Sequence, residues 1–332
     1  KSIGRRAGFM IGAVLGMVGG LISAYAIYIQ EFWLFVVGTF VFGMYGGFSQ
    51  YFRFAAADTA RPEFKSKAIS LVLAGGVVAA ILGSELAKWA NHLFEPILFL
   101  GGFVAIAVLA LIVAILLLGL DIPKPSEEEI KAPGRPMLEI MRQPVFIVAA
   151  LSSMIGYSTM SLIMTATPLA MQVCGFGIAD TAFIIQWHAL GMFAPSFFTG
   201  HLIQRYGVLN IILIGVALLV GSMIFAVSGI AIQNFWFALV TVGIGWNFTF
   251  VGGTTLLTEC YTLGERAKTQ AANDLIVFGS VATASLLSGA ILHLFNWNTV
   301  IAVAAPFSVL LLIAIVWLKN RRKKEALEPA TS

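Results

Sequence analysis

Residues 208–230 read VLNIILIGVALLVGSMIFAVSGI and contain no charged side chain. An α-helix rises about 1.5 Å per residue, so this stretch is long enough to cross the roughly 30 Å hydrocarbon core of a bilayer. Its apolar residues follow one another without the strict alternation with polar residues that is typical of a barrel strand. The stretch therefore predicts a membrane-spanning α-helix.

Nine further stretches are also about 20 residues long and mainly apolar. With the first, the predicted spans are residues 7–29, 32–52, 68–89, 95–119, 145–168, 181–203, 208–230, 233–257, 270–293 and 297–318. A helix pairs its backbone N–H and C=O groups internally, which is necessary in lipid because lipid tails offer no hydrogen bonds. The predicted fold class is an all-α integral membrane bundle with ten transmembrane helices in this chain.

The composition agrees with a membrane protein. Hydrophobic residues make up 59% of the chain and charged residues 11%, whereas soluble domains carry about a quarter of charged residues. This excludes a water-soluble enzyme and a disordered chain. The sequence also lacks the motifs H-E-x-x-H, G-x-S-x-G, G-x-x-x-x-G-K-[ST] and C-x-x-C. We therefore expect no enzymatic activity, no direct use of ATP, no cofactor and no metal site.

The basic residues indicate the orientation. When the chain is threaded ten times through the membrane, all 20 Lys and Arg residues except Lys88 fall on the same side. Loops rich in Lys and Arg stay in the cytoplasm. Both termini of this chain are therefore predicted to be cytoplasmic, in a cell (inner or plasma) membrane. The net charge of +4 is a topology signal, so we expect no nucleic-acid partner.

The longest connection divides the chain into two parts. Residues 121–144 are polar, rich in proline and contain the run Glu127–Glu129, which is typical of a linker. The predicted domains are an N-terminal half over 1–120, this cytoplasmic linker over 121–144, a six-helix half over 145–319 and a cytoplasmic tail over 320–332. The first half contains only four predicted spans.

An internal repeat explains the unequal halves. The pattern Asp58-x6-Lys65-x-Lys67 recurs as Glu259-x6-Arg266-x-Lys268, about 200 residues later. A repeat of that length holds six helices. We therefore expect two further helices before residue 1, a truncated N-terminal half in this chain, and twelve helices in the intact protein.

Two loop sequences carry a family resemblance. Gly4-Arg5-Arg6 precedes the first span, and Gly200-His201-Leu202-Ile203-Gln204-Arg205-Tyr206-Gly207 precedes the seventh. Both resemble the loop signature G-x-L-a-D-R-x-G-R-R/K of the major facilitator superfamily, as does the arrangement of two six-helix repeats around a cytoplasmic linker. The resemblance, to a bacterial member, implies two pseudo-symmetric halves. It also implies secondary active transport of a small organic solute by alternating access.

The resemblance also implies a cytoplasmic gate, in which acidic groups at helix ends pair with the arginine-rich loops. The gate candidates are Gly4, Arg5, Arg6, Asp58, Arg205, Gly207 and Glu259. The alternative interpretation is that these residues only determine topology.

Three ionisable residues fall inside predicted spans, where burial of a charge costs at least about 2.5–3.5 kcal/mol. His188, Asp274 and Glu85 are therefore candidates for proton coupling. The structural alternatives are a neutral histidine bonded between helices, an ion pair of Asp274 with Arg266 or Lys268, and a local pair of Glu85 with Lys88.

The resemblance places the substrate cavity along the second, fifth and eighth predicted spans. The cavity candidates are Tyr45, Gln50, Tyr157, Thr159, Ser161, Trp246 and Asn247. Each could instead face lipid or pack in the core. As a set, aromatic and amide groups favour an amphipathic or aromatic organic substrate over a phosphate ester, which would need several Lys or Arg.

Two other functions stay open from the sequence. One is a facilitator without ion coupling, and the other is a non-transporting sensor or scaffold built on the same fold. The expected partners are a small-molecule substrate, the lipid bilayer and, for a coupled transporter, protons. The chain is expected to be a monomer.

Overall fold

The computed structural model describes residues 5–119 and 134–327. Within these two ranges the chain is helical and contains no β-strand. Gly4 and residues 121–133 of the predicted linker lie outside the described residues.

The helices are numbered in chain order. They are α1 (Arg5–Tyr28), α2 (Phe32–Gln50), α3 (Phe52–Thr59), α4 (Lys65–Asn91), α5 (Leu100–Leu118), α6 (Met137–Met141), α7 (Pro144–Val173), α8 (Ile178–Phe193), α9 (Ser196–Tyr206), α10 (Val208–Val227), α11 (Ile232–Leu257), α12 (Arg266–Leu294) and α13 (Trp297–Leu327). Short 3₁₀ turns over Pro62–Phe64 and Leu263–Glu265 lead into α4 and α12.

Nine helical segments in the described part of the chain are long and apolar enough to cross a membrane. They correspond to nine of the predicted spans. The tenth, residues 181–203, was predicted as one span but is divided between α8 and α9, with Ala194 and Pro195 between them. Proline has no N–H to donate, so the helical hydrogen-bond ladder is interrupted at this position.

Two compact units emerge from the packing. Of the described residues, 5–59 and 78–119 belong to the first unit, and 60–77 and 134–327 belong to the second. Residues 65–77 of α4 thus group with the second unit, although they precede the linker. The predicted boundaries at 120 and 144 remain a prediction. Residues 320–327, predicted as part of a tail, continue helix α13.

In the first unit α1 packs against α2 and α5. A ladder of glycines at every fourth position of α1, Gly8, Gly12, Gly16 and Gly20, makes this possible. A Cβ added to Gly16 would lie 3.0 Å from Cγ of Tyr45, and one added to Gly20 would lie 3.0 Å from the backbone N of Ala107. A Cβ at Gly8 would meet nothing within 4 Å. The ladder therefore serves helix packing at Gly16 and Gly20, as small residues do in membranes.

The core of the second unit is formed by α7 and α11, most of whose residues are buried. Helix α11 packs against α7, α8 and α10, while α12 and α13 pack on α7. The buried core includes Ile163, Met171, Phe235, Trp246 and Phe250. This arrangement brings side chains of α7, α8, α11 and α12 together in one unit.

Candidate functional site

An aromatic cluster surrounds Tyr157 of α7. The Tyr157 ring lies 5.3 Å from that of Trp246, 5.2 Å from that of Phe250 and 5.6 Å from that of Phe278, edge to face in each case. The rings of Trp246 and Phe250 stack with their centres 5.1 Å apart. The two residues lie four positions apart on α11 and therefore on the same face of the helix. Phe193 completes the cluster, 5.7 Å from Trp246.

The members of this aromatic cluster differ in burial. Trp246 and Phe250 are buried, whereas Tyr157, Phe193 and Phe278 are partly accessible. The indole N–H of Trp246 is buried and has no hydrogen-bond partner among the described residues. The cluster thus offers accessible aromatic edges over a buried stacked pair, an arrangement suited to contact with a flat ring.

A cavity of about 360 Å³ lies between α7, α12 and α13. Its volume is in the range of small-molecule pockets. The hydroxyl groups in its lining belong to Ser158, Thr159, Ser280 and Thr283, and the other lining residues are apolar. Ser158 directly follows Tyr157 on α7, and Gly279 of the lining directly follows Phe278 on α12. The cavity and the aromatic cluster therefore lie at the same level along α7 and α12, on neighbouring positions of each helix.

Ser161, predicted to line the cavity, instead joins two helices. Its Oγ lies 2.6 Å from Oγ of Ser285 on α12. One turn along, Ser288 Oγ donates to the carbonyl of Leu162 at 3.0 Å. These contacts fix α12 against α7, so Ser161 helps to hold the site in shape.

Asn247 bridges the interruption between α8 and α9. Its Nδ2 donates to the Met192 carbonyl at 2.7 Å and to Ser196 Oγ at 2.6 Å. Its Oδ1 accepts from Thr199 Oγ1 at 2.7 Å. The side chain is fully buried, and both ends of the amide are engaged. Asn247 therefore has a structural role, and its assignment to the substrate cavity stays a prediction.

The two cavity candidates of the first unit are engaged locally. The ring of Tyr45 packs against Gly16, and Gln50 Oε1 accepts from Arg53 Nη1 at 2.7 Å. Arg53 was predicted only as a topology signal, yet it is 1% exposed and lies 4.5 Å above the Phe54 ring. This burial was not predicted, because Arg53 directly follows the predicted span 32–52 and was therefore placed in the polar connection after it.

His188 is buried between α8 and α11. Its Nδ1 donates to the Leu239 carbonyl at 2.7 Å, so the neutral ring carries its proton on Nδ1. Nε2 is buried and has no partner within the described ranges. A histidine with an unused buried nitrogen can take up a proton only if a donor or water reaches that nitrogen.

The other two proton-coupling candidates differ from His188. Asp274 is buried near the start of α12, and its Oδ1 accepts from Asn273 Nδ2 at 3.1 Å. Glu85 is exposed, and its predicted partner Lys88 has a side chain outside the described part of the chain. The exposure of Glu85 makes it the weakest of the three candidates.

The first-half gate residues come together in part. Arg5 donates to the Asp58 carboxylate, which is buried within the first unit. Arg6 donates to the Leu118 carbonyl. The structure thus brings together two of the gate candidates that the family resemblance implied, and their role as a gate stays a prediction.

The second-half copy is arranged differently. Glu259 accepts from Arg322 Nη2 of α13 at 2.6 Å, and Arg205 lies 5.3 Å above the ring of Tyr206. Glu259 therefore contacts α13, and the gate roles of Glu259 and Arg205 stay predictions. Gly207 has φ of +85° between α9 and α10, a conformation that favours glycine.

One ion pair with two short hydrogen bonds was not predicted from the sequence. Arg135, just after the undescribed part of the linker, binds Glu265 with Nε at 2.8 Å and Nη2 at 2.7 Å. Glu265 is 1% exposed and also accepts from the backbone N–H of Thr262 at 3.0 Å. Arg135 Nη2 further donates to the Cys260 carbonyl at 3.0 Å. Only the fold brings these distant groups together.

The sequence profile of the Major Facilitator Superfamily matches the chain over residues 1–277 and 187–332. The chain belongs to the major facilitator superfamily. The predicted family and the all-helical membrane fold are confirmed. As a superfamily member, the chain is a multi-pass membrane protein and a secondary transporter of a small solute, not an enzyme.

Two curated superfamily relatives span nearly the whole chain. The riboflavin transporter RfnT of Brucella anthropi is 41% identical over 330 residues, which cover 99% of this chain and 83% of the relative. The MFS-type transporter YddS of Bacillus subtilis is 26% identical over 344 residues, covering 98% of this chain and 79% of the relative.

Solved structures of the superfamily share the fold. The proton:xylose symporter XylE matches with a TM-score of 0.74 at 12% identity, covering 95% of this chain and 80% of that chain. The fucose:proton symporter FucP of E. coli matches with a TM-score of 0.69 at 16% identity, covering 94% and 83%. At these identities the likeness concerns the fold alone.

Proposed function

We propose that this transporter carries a flat aromatic solute with hydroxyl groups, of the riboflavin type, by alternating access. The observation that carries the proposal is the aromatic cluster around Tyr157. Aromatic rings in contact contribute about 0.5–1.5 kcal/mol beyond the area they bury. The neighbouring hydroxyl groups of Ser158 and Thr159 supply hydrogen bonds for a polar side chain. The 41% identity to a riboflavin transporter supports the same solute class.

The charge of the site favours an uncharged solute. The aromatic cluster and the described lining of the adjacent cavity contain no Lys or Arg. A phosphate group bound at such a site would lack the charge-assisted hydrogen bonds that it normally receives. We therefore expect riboflavin to be preferred over its phosphate ester.

Uptake of riboflavin into proteoliposomes that contain the full-length protein tests this proposal. Tyr157→Ala removes the ring at the centre of the cluster, and we expect the initial rate at low substrate to fall about tenfold, which corresponds to about 1.4 kcal/mol. Tyr25→Ala is the matched control, because Tyr25 is 59% exposed on α1. Equal uptake by the two variants would show that the cluster does not contact the solute.

We further propose that transport is coupled to protons through His188. Its complete burial and its unused Nε2 support this role. An inward pH gradient should accelerate uptake by the wild type, and His188→Asn should remove the acceleration while uptake without a gradient persists. His201→Asn, an exposed histidine on α9, is the control. Wild-type uptake that ignores the gradient would instead identify an uncoupled facilitator.

The orientation follows from the basic residues. We propose a monomer in the cell (inner or plasma) membrane with both termini of this chain in the cytoplasm. The basic cluster Arg321–Lys324 after the last span supports this orientation. A fluorescent protein fused after residue 332 should fluoresce, whereas an alkaline phosphatase fused there should be inactive. The opposite pattern would reverse the topology.

A further inference from the structure

A groove outside the transport site lies between the start of α4 and helix α9. It has a volume of about 590 Å³ and is lined by Ala60, Arg61, Phe64, Lys67, Ala68, Leu71 and His201. All of these residues belong to the second compact unit. On the predicted topology the groove lies at the ends of the predicted spans 68–89 and 181–203, so we expect both water and lipid nearby.

Two kinds of surface meet in this groove. Phe64, Ala68 and Leu71 follow one another at spacings of four and three residues and so form an apolar stripe that runs from the 3₁₀ turn into α4. Phe64 is 53% exposed and Leu71 is 61% exposed. Two basic side chains, Arg61 and Lys67, and the imidazole of His201 line the same groove. Lys67 holds its ammonium 4.9 Å from the centre of the Phe64 ring.

The contacts beneath the groove fix its shape. Ser66 Oγ donates to the Gly200 carbonyl at 3.1 Å, and Gln204 Nε2 donates to the Glu63 carbonyl. A Cβ added to Gly200 would lie 2.7 Å from the Cα of Lys67, so the two backbones are in direct contact. The groove is thus preformed between closely packed segments. The Glu63 side chain is not part of its lining.

We propose that this groove binds an anionic phospholipid, with the headgroup phosphate at Arg61, Lys67 and His201 and one acyl chain along Phe64, Ala68 and Leu71. Leu71 lies six residues beyond Lys65, which is about 9 Å deeper along α4 by helical rise. A ligand that reaches both ends of the stripe needs an anionic group joined to an apolar chain. On the predicted topology this face is cytoplasmic, where anionic lipids attract basic side chains.

The exposed apolar stripe distinguishes a lipid from the other anionic ligands that could bind this groove. A free phosphate would contact only Arg61, Lys67 and His201 and leave Phe64 and Leu71 uncovered. An acidic peptide would remain at the aqueous end and would not reach Leu71. A phospholipid satisfies the basic and the apolar parts of the groove at once.

Native mass spectrometry of the purified full-length protein tests the proposal. The protein is titrated with phosphatidylglycerol or with phosphatidylcholine of identical acyl chains, and the most tightly held lipid is quantified. The groove variant carries Arg61→Gln and Lys67→Gln. The control variant carries Lys323→Gln and Lys324→Gln, which removes the same charge from the exposed end of α13. Leu71→Gln tests the apolar stripe, and a wild-type elution profile in size exclusion establishes that each variant is folded.

We expect the wild type to prefer phosphatidylglycerol at least about tenfold for its first lipid, and the control variant to keep this preference. The groove variant should lose it, and Leu71→Gln should weaken binding of that lipid about threefold or more. Equal preference in the groove and control variants would overturn the proposal. Displacement of the lipid by water-soluble glycerophosphoglycerol at equal concentration would also overturn it, because the groove would then bind the anion alone.

Discussion

Arg135 and Glu265 form a two-pronged ion pair across 130 residues of sequence, with N···O distances of 2.8 and 2.7 Å. The hydrogen bonds that Arg135 donates to Glu265, and to a smaller extent the charge of Glu265, raise the pKa of the Arg135 guanidinium. Lys268 donates to the Arg135 carbonyl, and Gln143 Nε2 donates to the Cys260 carbonyl at 3.0 Å. The end of the linker is therefore bound to the start of α12 within the second unit.

The first prediction concerns this ion pair. Glu265→Gln removes the charge that both prongs of Arg135 contact, and we expect the Tm to fall by about 3–8 °C. Glu325→Gln breaks the exposed pair Arg321–Glu325, with an N···O distance of 2.8 Å, and should change the Tm by about 1 °C or less. Tryptophan fluorescence on heating measures both. Equal shifts would mean that the buried pair contributes no more than a surface pair.

The second prediction concerns the two cysteines. Burial raises the pKa of the Cys260 thiol to about 12, whereas Cys174 is half-buried near the end of α7. A thiol with a raised pKa stays protonated and unreactive at pH 8, because the thiolate is the nucleophile. A maleimide should therefore label Cys174 alone in the folded protein, and Cys174→Ser should label only after denaturation. Rapid labelling of folded Cys174→Ser would contradict the buried position of Cys260.

The third prediction compares two glycines of one ladder. Gly20→Ala places a Cβ 3.0 Å from the backbone N of Ala107, and α5 must shift to accommodate it. Gly8→Ala meets nothing within 4 Å and gains about 0.5–1 kcal/mol of helix propensity. We expect the Tm to fall for Gly20→Ala and to stay or rise for Gly8→Ala. Shifts of the same sign would contradict the close contact between α1 and α5.

The fourth prediction concerns the interruption between α8 and α9. Asn247→Ala removes three hydrogen bonds and leaves the Met192 carbonyl unpaired in the core. At about 0.6–1.7 kcal/mol for each of the three bonds within a membrane, we expect a loss of about 2–5 kcal/mol. Asn210→Ala, an exposed asparagine near the start of α10, should cost less than about 1 kcal/mol. Equal losses of stability for the two variants in thermal unfolding would contradict the structural role of Asn247.

Local patterns in the sequence were sufficient to predict most of the membrane-spanning helices, because hydropathy and length decide whether a segment can cross a bilayer. They could not identify the interruption at Pro195. Pro168 and Pro306 also lie inside helices and do not end them. What distinguishes Pro195 is the Asn247 side chain from another helix, which supplies a donor to the Met192 carbonyl. That contact depends on tertiary packing.

The same limit applies to the site. The family resemblance implied that Asp58 pairs with an arginine of the loop before the first span, whereas no motif pointed to the pairing of Arg135 with Glu265. Tyr157 and Trp246 were both proposed from the sequence as cavity residues. Their direct contact, and the contributions of Phe193, Phe250 and Phe278, became visible only in the folded chain.

The most direct test of the proposed solute is a binding titration that follows the fluorescence of riboflavin as the purified full-length protein is added. Stacking on the aromatic cluster should quench the fluorescence in a saturable way for the wild type and for Tyr157→Phe, which keeps the ring. Tyr157→Ala should bind about tenfold more weakly, and the phosphate ester of riboflavin should compete poorly. Absence of saturable quenching by the wild type, or identical affinity of Tyr157→Ala, would contradict a flavin-like solute at this cluster.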